Sequence, residues 1–383
     1  MTKRAAILTQ ALVGTNYGST IQTWAPQQVL KRMNIDSTTM DRVRENKNPI
    51  LKRKLSELKS NILNTLTTNL IITEKVFDQI FAKQYAFVKK HIQITGRIHT
   101  DEELANHFNQ EKYDVVIVGS DQTWRPAYSP NIYNYFLDFL KNDKDIKKIV
   151  YATSFGTDQW EFSKEETQKC KELVKTFDAV SVREKSGIDL CQKYLGITPE
   201  FVLDPTMLLK KEDYLKLIAS KNLPKRSGLF SYILDETDEI AKIIADTAEH
   251  LKLEHFTNQP INRAKGKNVT NLEDHIYPEL EGWLQAFNDA DFIVTNSFHG
   301  TVFSILFNKP FVSIAHSERG ASRFHSLLSL FGLEDRLLTD KSKLKEMAMQ
   351  NIDYDAVNLK LEALRKHSLD FLSKNVINSI HEL

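Results

Sequence analysis

The chain has 383 residues, 41% of them hydrophobic and 26% charged, with a formal net charge of +1 at pH 7. That length suits two domains with cores of their own, and the balanced charge excludes recognition of nucleic acid through a global basic field. Two cysteines, Cys170 and Cys191, lie in helix-like stretches without a Cys-x-x-Cys or Cys/His cluster; this excludes a disulfide scaffold or structural zinc and points to a reducing compartment.

Arg4 to Thr9 reads as a first strand. Lys3 and Arg4 precede apolar residues as in a signal peptide, but Thr9 and Gln10 interrupt the run and no small-residue cleavage site follows. No stretch approaches the ~20 apolar residues of a membrane-spanning helix, so the expected location is cytoplasmic, peripheral to the inner face of a membrane at most. After the loop Gly14 to Gly18, Ser19 or Thr20 caps a helix toward Met33, and Ile35 to Met40 completes a βαβ unit. Its glycine spacing is not that of a dinucleotide site. Asn16 and Tyr17 either face a ligand or serve only the turn.

From Arg42 to His91 a helical insertion replaces the alternation. It is basic at its start (Arg42, Arg44, Lys47, Lys52, Arg53, Lys54, Lys59), with Leu55, Leu58, Ile62 and Leu66 at helical spacing. A solvated helical layer packed on the domain is one reading, and contact with an anionic membrane surface is the other.

Asp101 to Asn109 is helical, and Asp114 to Val118 is the apolar run of a buried parallel strand. Ser120, Asp121 and Trp124 follow that strand, where ligands of doubly wound sheets bind. Asp121 can orient a hydroxyl or bond only to its own turn, and Trp124 can stack on a sugar. Lys148 to Ala152 is a strand, Ser163 with Glu166 forms a capping box for a helix to Thr176, and Ala179 to Val182 is the next strand. Arg183 and Glu184 stand at its end, as a surface pair or with Arg183 facing the crevice, where its planar fork suits carboxylate and phosphate. A helix over Ser186 to Leu195 and a short strand over Phe201 to Leu203 lead to Asp204-Pro205, which marks a domain boundary.

A second alternating set follows. It comprises helix Glu212 to Ala219, strand Gly228 to Leu234, helix Thr237 to Leu251, strand Glu254 to Thr257 and helix Glu279 to Asn288. Asp291 to Thr295 is then a strand and Thr301 to Phe307 a helix, with Asn296-Ser297-Phe298-His299-Gly300 between them. A strand that turns directly into a helix presents unpaired N–H groups and partial positive charge, a corner suited to an anion. His299 adds a side chain able to move a proton near neutrality; the alternative is that Asn296 and Ser297 only cap the helix and His299 fills space. Phe311 to Ile314 is a strand, and His316 follows it. Ser322 to Phe331 is a helix with Arg323 near its start, where a cation is disfavoured unless an anion shares the site. Tyr354 to Leu372 is a terminal amphipathic helix.

Taken together, these residues resemble the polysaccharide pyruvyl transferase family. The resemblance is carried by Asn16-Tyr17-Gly18, the stretch Val118 to Trp124, Ser181-Val182-Arg183-Glu184, Asp204-Pro205, the stretch Asn296 to Gly300 and Ser322-Arg323-Phe324, and it covers most of the chain. It implies an α/β fold of two Rossmann-like doubly wound domains facing a cleft, as in GT-B-like glycosyltransferases. The acceptor-side domain would span residues 1–205 with the insertion at about 42–91, and the donor-side domain 206–340. Helices over 341–383 would pack back across both. The implied reaction moves pyruvate from phosphoenolpyruvate onto hydroxyls of a surface or capsular polysaccharide precursor as a ketal, with no cofactor or metal and a glycan acceptor that can be lipid-linked. His299 matches the family histidine, the implied general acid, and Arg183 and Arg323 its donor-binding arginines. Asn296, Ser297, Gly300, Asn16, Tyr17, Gly18, Ser120, Asp121 and Trp124 are the implied substrate-binding residues. Many members carry a glycine triplet where this chain has Gly119-Ser120-Asp121. A nucleotide-sugar glycosyltransferase and a carbohydrate-binding relative without chemistry share the architecture and stay open.

Overall fold

Short apolar runs such as Val115–Val118, buried at every position, need cover on both faces, which a parallel sheet flanked by helices provides. In a computed structural model, residues 2–12, 16–45, 59–60, 64, 70–219, 221–263, 268–269, 271–315 and 321–377 are described. The first half supplies β1 (Lys3–Leu8), β2 (Ile35–Arg42), β3 (Leu70–Ile71), β4 (Ile94–Ile98), β5 (Val115–Val118), β6 (Lys147–Thr153), β7 (Ala179–Val182) and β8 (Glu200–Phe201). All but β3 form one seven-stranded sheet in the order β4-β2-β1-β5-β6-β7-β8, and every pairing is parallel. The second half supplies β9 (Leu229–Tyr232), β10 (His255–Thr257), β11 (Asn268–Val269), β12 (Phe292–Thr295), β13 (Phe311–Ile314) and β14 (Leu337–Leu338). Five of these make a second parallel sheet in the order β10-β9-β12-β13-β14. Both sheets have the doubly wound, Rossmann-like order in which the chain reverses direction of travel at an inner strand pair, β1/β5 in one and β9/β12 in the other.

Two helices carry the site, and both begin earlier than the sequence suggests. Helix α1 (Tyr17–Arg32) is capped by Asn16, whose side chain accepts the Gly18 N–H, rather than by Ser19 or Thr20. Ser297 caps the second helix (Phe298–Leu306) through the Gly300 N–H, so His299 sits inside the first turn instead of ahead of it. Elsewhere the local signals hold. The Ser163–Glu166 capping box makes both of its hydrogen bonds.

The insertion differs from the long helical stretch read from the sequence. Strand β2 runs on to Arg42, which is buried and bonds Asp101 and Asn134 rather than forming a basic surface. Lys47, Lys52, Arg53 and Lys54 lie outside the described residues, as does most of the segment before β3. Helices α2 (Glu74–Ile80) and α3 (Ala82–His91) then break at Phe81. Strand β3 pairs antiparallel with β11, and Phe81 packs on Tyr277, so this segment ties the first half of the chain to the second.

One apolar cluster joins residues of both halves, among them Tyr17, Trp24, Tyr232, Trp283 and Phe303. Separate clusters lie behind the first sheet, around Trp124 and Phe136, and behind the second, around Ile240 and Phe292. The last helix, α4 (Tyr354–Ile377), buries Val357, Leu361, Arg365, Ser368, Leu372 and Val376 along one face. Its Tyr354 hydroxyl bonds the carbonyl of Lys309 near one end, and Lys3 and Lys147 bond its last carbonyls at the other, so it lies against both halves. Among the described residues no helix is long and apolar enough to cross a membrane.

Candidate active site

In doubly wound sheets the inner strand pair where direction reverses leaves a crevice at the carboxyl ends of the strands. Here two such crevices meet. A cavity of about 290 Å³ is lined by Gln10 after β1, Asp121 and Gln122 after β5, Leu234 and Asp235 after β9, and Asn296 to His299 after β12. Asn16 and Ser19 of α1 and Arg323 of the helix Ala321–Phe331 complete its wall.

Beneath the cavity lies a buried ionic network. Arg183, at the end of β7, donates from Nη1 to Asp204 at 2.6 Å and to Ser120 Oγ at 3.1 Å, and from Nη2 to Asp121 at 3.3 Å. Its Nε lies 3.8 Å from Glu184. The other Glu184 oxygen accepts from the Ser154 hydroxyl and the Phe155 N–H. Asp204 also accepts from the Thr206 N–H and hydroxyl and from Ser120. Desolvation on this scale costs several kcal/mol per charge, and only such pairing makes it tolerable. Burial pushes the Asp204 carboxyl up, but the neighbouring His299 and the charge of Arg183 outweigh it and hold the group well below the usual range. Asp121 is likewise held low against its burial, chiefly by Arg183 and His299. Its backbone sits in the left-handed region at φ 71°, a strained setting for a non-glycine residue and one that clusters at functional sites.

His299 bridges network and cavity. Its Nε2 is 3.8 Å from Asp204 Oδ2, too long for a hydrogen bond, and has no hydrogen-bond partner among the described residues. A buried ring nitrogen left in that state costs about 1–3 kcal/mol, an expense that a substrate atom can relieve. The opposite edge of the ring lies against α1 so closely that a methyl group on Gly18 would come 2.5 Å from Nδ1. Phe298 stands beside it, with the Arg183 and Arg323 guanidinium carbons 4.6 and 5.7 Å from the ring centroid. Burial and the neighbouring Arg183 both disfavour the charge on Arg323, so an anion entering the cavity would gain from it.

The sequence profile described as Polysaccharide pyruvyl transferase matches residues 16–318. The chain belongs to that family. It is therefore a transferase that places pyruvyl groups on polysaccharide, with a glycan acceptor as its partner. Among solved structures it is similar to the UDP-GlcNAc 2-epimerase of Neisseria meningitidis bound to UDP-GlcNAc, at 11% identity and TM-score 0.48 over 95% of this chain and 100% of that one. The UDP-GlcNAc 2-epimerase of Methanocaldococcus jannaschii is similar at 14% identity and TM-score 0.48, covering 92% and 93%. A glycosyltransferase from Rickettsia africae ESF-5 is similar at 10% identity and TM-score 0.48, covering 99% and 100%. No curated protein matches the chain in sequence.

Of the residues that the resemblance assigned to this pyruvyl transferase site, His299, Arg323, Asp121, Asn16, Asn296 and Ser297 line the cavity. Asn296 spends its amide on the backbone of Leu234 and Asp235, which fixes the corner rather than reaching for substrate. Several others are corrected. Arg183 is not a surface partner of Glu184 and does not line the cavity, because its fork is spent on Asp204, Asp121 and Ser120 below the floor. Ser120 belongs to that same network. Trp124 cannot stack on a sugar: it is fully buried against Phe136, with its indole N–H donated to the Tyr135 carbonyl. Tyr17 is fully buried, stacked on Trp283, and bonds the carbonyls of Asn258 and Pro278, which fastens α1 to the second half. Gly18 and Gly300 are places of close approach, the first to His299 and the second to Thr295. His316 lies outside the described residues.

Sequence reasoning missed two participants. Asp204 stands in the sequence reading as a domain boundary and as part of a family motif, without a role in the site, although a carboxylate beside a proline at a strand end is a signal worth weighing. Ser19, read as a helix cap, donates instead to Asp121 at the cavity wall. Among the described residues no group of His, Cys, Asp and Glu side chains is placed to hold a metal ion.

Proposed function

We propose that phosphoenolpyruvate is the donor, that His299 is the general acid, and that the product is a pyruvate ketal on two hydroxyls of one sugar. The observation that carries this reading is the buried Nε2 of His299 at the cavity wall, without a hydrogen-bond partner among the described residues and with the Asp204 carboxylate behind it. Arg323 and the start of the helix Phe298–Leu306 hold the donor's carboxylate and phosphate. His299 protonates the methylene carbon, and the adjacent carbon becomes an oxocarbenium centre that a sugar hydroxyl attacks. Loss of phosphate regenerates such a centre, and the second hydroxyl closes the ketal. Of the two hydroxyl protons, one restores His299 and the other leaves with phosphate. Asp121 orients the attacking hydroxyl, and Asp204 stabilises the imidazolium and keeps the ring aimed.

The donor is a cytoplasmic metabolite, which sets the reaction there, on an envelope polysaccharide precursor that can carry a lipid. The test is release of phosphate from phosphoenolpyruvate. It is expected only when acceptor glycan is present, and release that ignores the glycan, or none with any glycan, removes this reading. Thermal stabilisation by a nucleotide sugar but not by phosphoenolpyruvate would replace the donor.

A further inference from the structure

Tyr128 lies at the rim of the cavity and is 44% exposed, the one aromatic side chain among the exposed large apolar residues of the described chain. A lone exposed ring is ordinary on a protein surface; what sets Tyr128 apart is that it lines the cavity. The ring is also fixed in place. The Arg125 guanidinium lies 4.6 Å from its centroid, and Arg125 is in turn locked by a two-point ion pair to Glu161 at 2.9 and 2.8 Å and by a bond to Gln122 at 3.1 Å. The Tyr128 N–H closes a turn on the Arg125 carbonyl, and buried Ser129 anchors the next residue to Thr123. One short segment thus carries both this platform and Asp121.

We infer that Tyr128 is the acceptor platform: its ring takes the C–H face of a pyranose whose two reacting hydroxyls enter the cavity toward Asp121 and His299. The negative face of an aromatic ring attracts the weakly positive C–H groups of a sugar face, and a pre-ordered ring loses little entropy on binding. This assignment rests on the glycan-acceptor reading of the cavity but not on the identity of the donor. The stacking role that the sequence gave to Trp124 passes to the ring four positions on.

The test is saturation-transfer NMR of the full chain with methyl β-galactopyranoside, methyl β-glucopyranoside and methyl β-mannopyranoside, beside phosphate release from phosphoenolpyruvate. At least one glycoside is expected to take up saturation through its C–H protons. Tyr128→Ala should weaken that binding about 2- to 10-fold, the range of a single aromatic contact, and Tyr128→Phe should restore it because the ring, not the hydroxyl, is the platform. Both variants should melt with the wild type, since the side chain is exposed. Equal binding by Tyr128→Ala, failure of Tyr128→Phe to restore it, or no contact of any glycoside with the wild type overturns the assignment. Tyr128-dependent glycoside binding without phosphate release would sink the donor reading and leave the platform standing.

Discussion

Asp204, just beyond the edge strand of the first sheet, and His299, in the first turn of a helix of the second half, face each other at 3.8 Å between Oδ2 and Nε2. The linker that carries Asp204 is pinned by the last helix, where Arg365 bonds the carbonyls of Met207 and Leu209 and Ser368 accepts the Leu203 N–H. The aim of His299 therefore depends on contacts that span both halves of the chain.

Asp204→Asn should cost about 3–5 kcal/mol of stability at pH 7, because it leaves Arg183 buried without its nearest counter-charge. Asp204 has a depressed carboxyl pKa in the folded chain, so its stabilising share is present above the ordinary carboxylate range near ~3.9 and is lost as pH falls through and below it. The gap between wild type and Asp204→Asn should then narrow by about 1 kcal/mol from pH 6 to pH 3 in denaturant titrations. A gap that stays constant or widens over that range would show that the Asp204 pKa is not depressed in the folded chain.

Arg183→Lys and Arg323→Lys should fail in different ways. An ammonium cannot span Asp204, Asp121 and Ser120 together, so Arg183→Lys should lower the melting temperature and turnover, with a smaller effect on the KM for phosphoenolpyruvate. Arg323 lines the cavity, and its loss as a planar fork should raise that KM about tenfold or more while stability changes little. If the KM effect instead follows Arg183, that side chain swings up to the donor and the buried network is only its resting state.

Gly18→Ala is a second probe of the His299 position. Alanine favours a helix over glycine by about 1 kcal/mol, yet here the added methyl would meet Nδ1 at 2.5 Å and Cβ and Cγ at 2.7 Å. Overpacking of that kind costs about 1–3 kcal/mol, and the part that can give is the imidazole. Turnover should fall at least tenfold with the fold intact by circular dichroism; a variant with wild-type turnover and raised stability would place the ring elsewhere.

What the sequence made legible followed from local physics. The strands Ala179–Val182 and Phe311–Ile314 match their apolar runs residue for residue; the strand ends point to His299 and Asp121, and the place of a cation at a helix start points to Arg323, all three of which line the cavity. What it did not make legible depends on partners far away in the chain. Arg183 is spent on Asp121 and Asp204, 62 and 21 positions distant, and no local pattern announces that. An aromatic residue beside a site motif gives no sign of which way its ring turns, so nothing local marks Trp124 as buried and Tyr128 as exposed. Competing caps explain the helix starts, since Asn16 and Ser297 each stand a few residues ahead of other cap-competent side chains.

His299→Gln is the substitution on which the mechanism turns. Glutamine keeps a polar tip in the space beside Asp204 but cannot give a proton to carbon, so the fold and the hold on the donor should survive while the chemical step does not. General acid–base catalysis is typically worth ~10²–10⁴ in rate, and turnover at saturating phosphoenolpyruvate should drop by about that much, with a modest change in donor affinity measured by calorimetry. Those two quantities must separate. A variant that binds phosphoenolpyruvate poorly yet turns over like wild type at saturation would make His299 a binding residue and give the proton to another group.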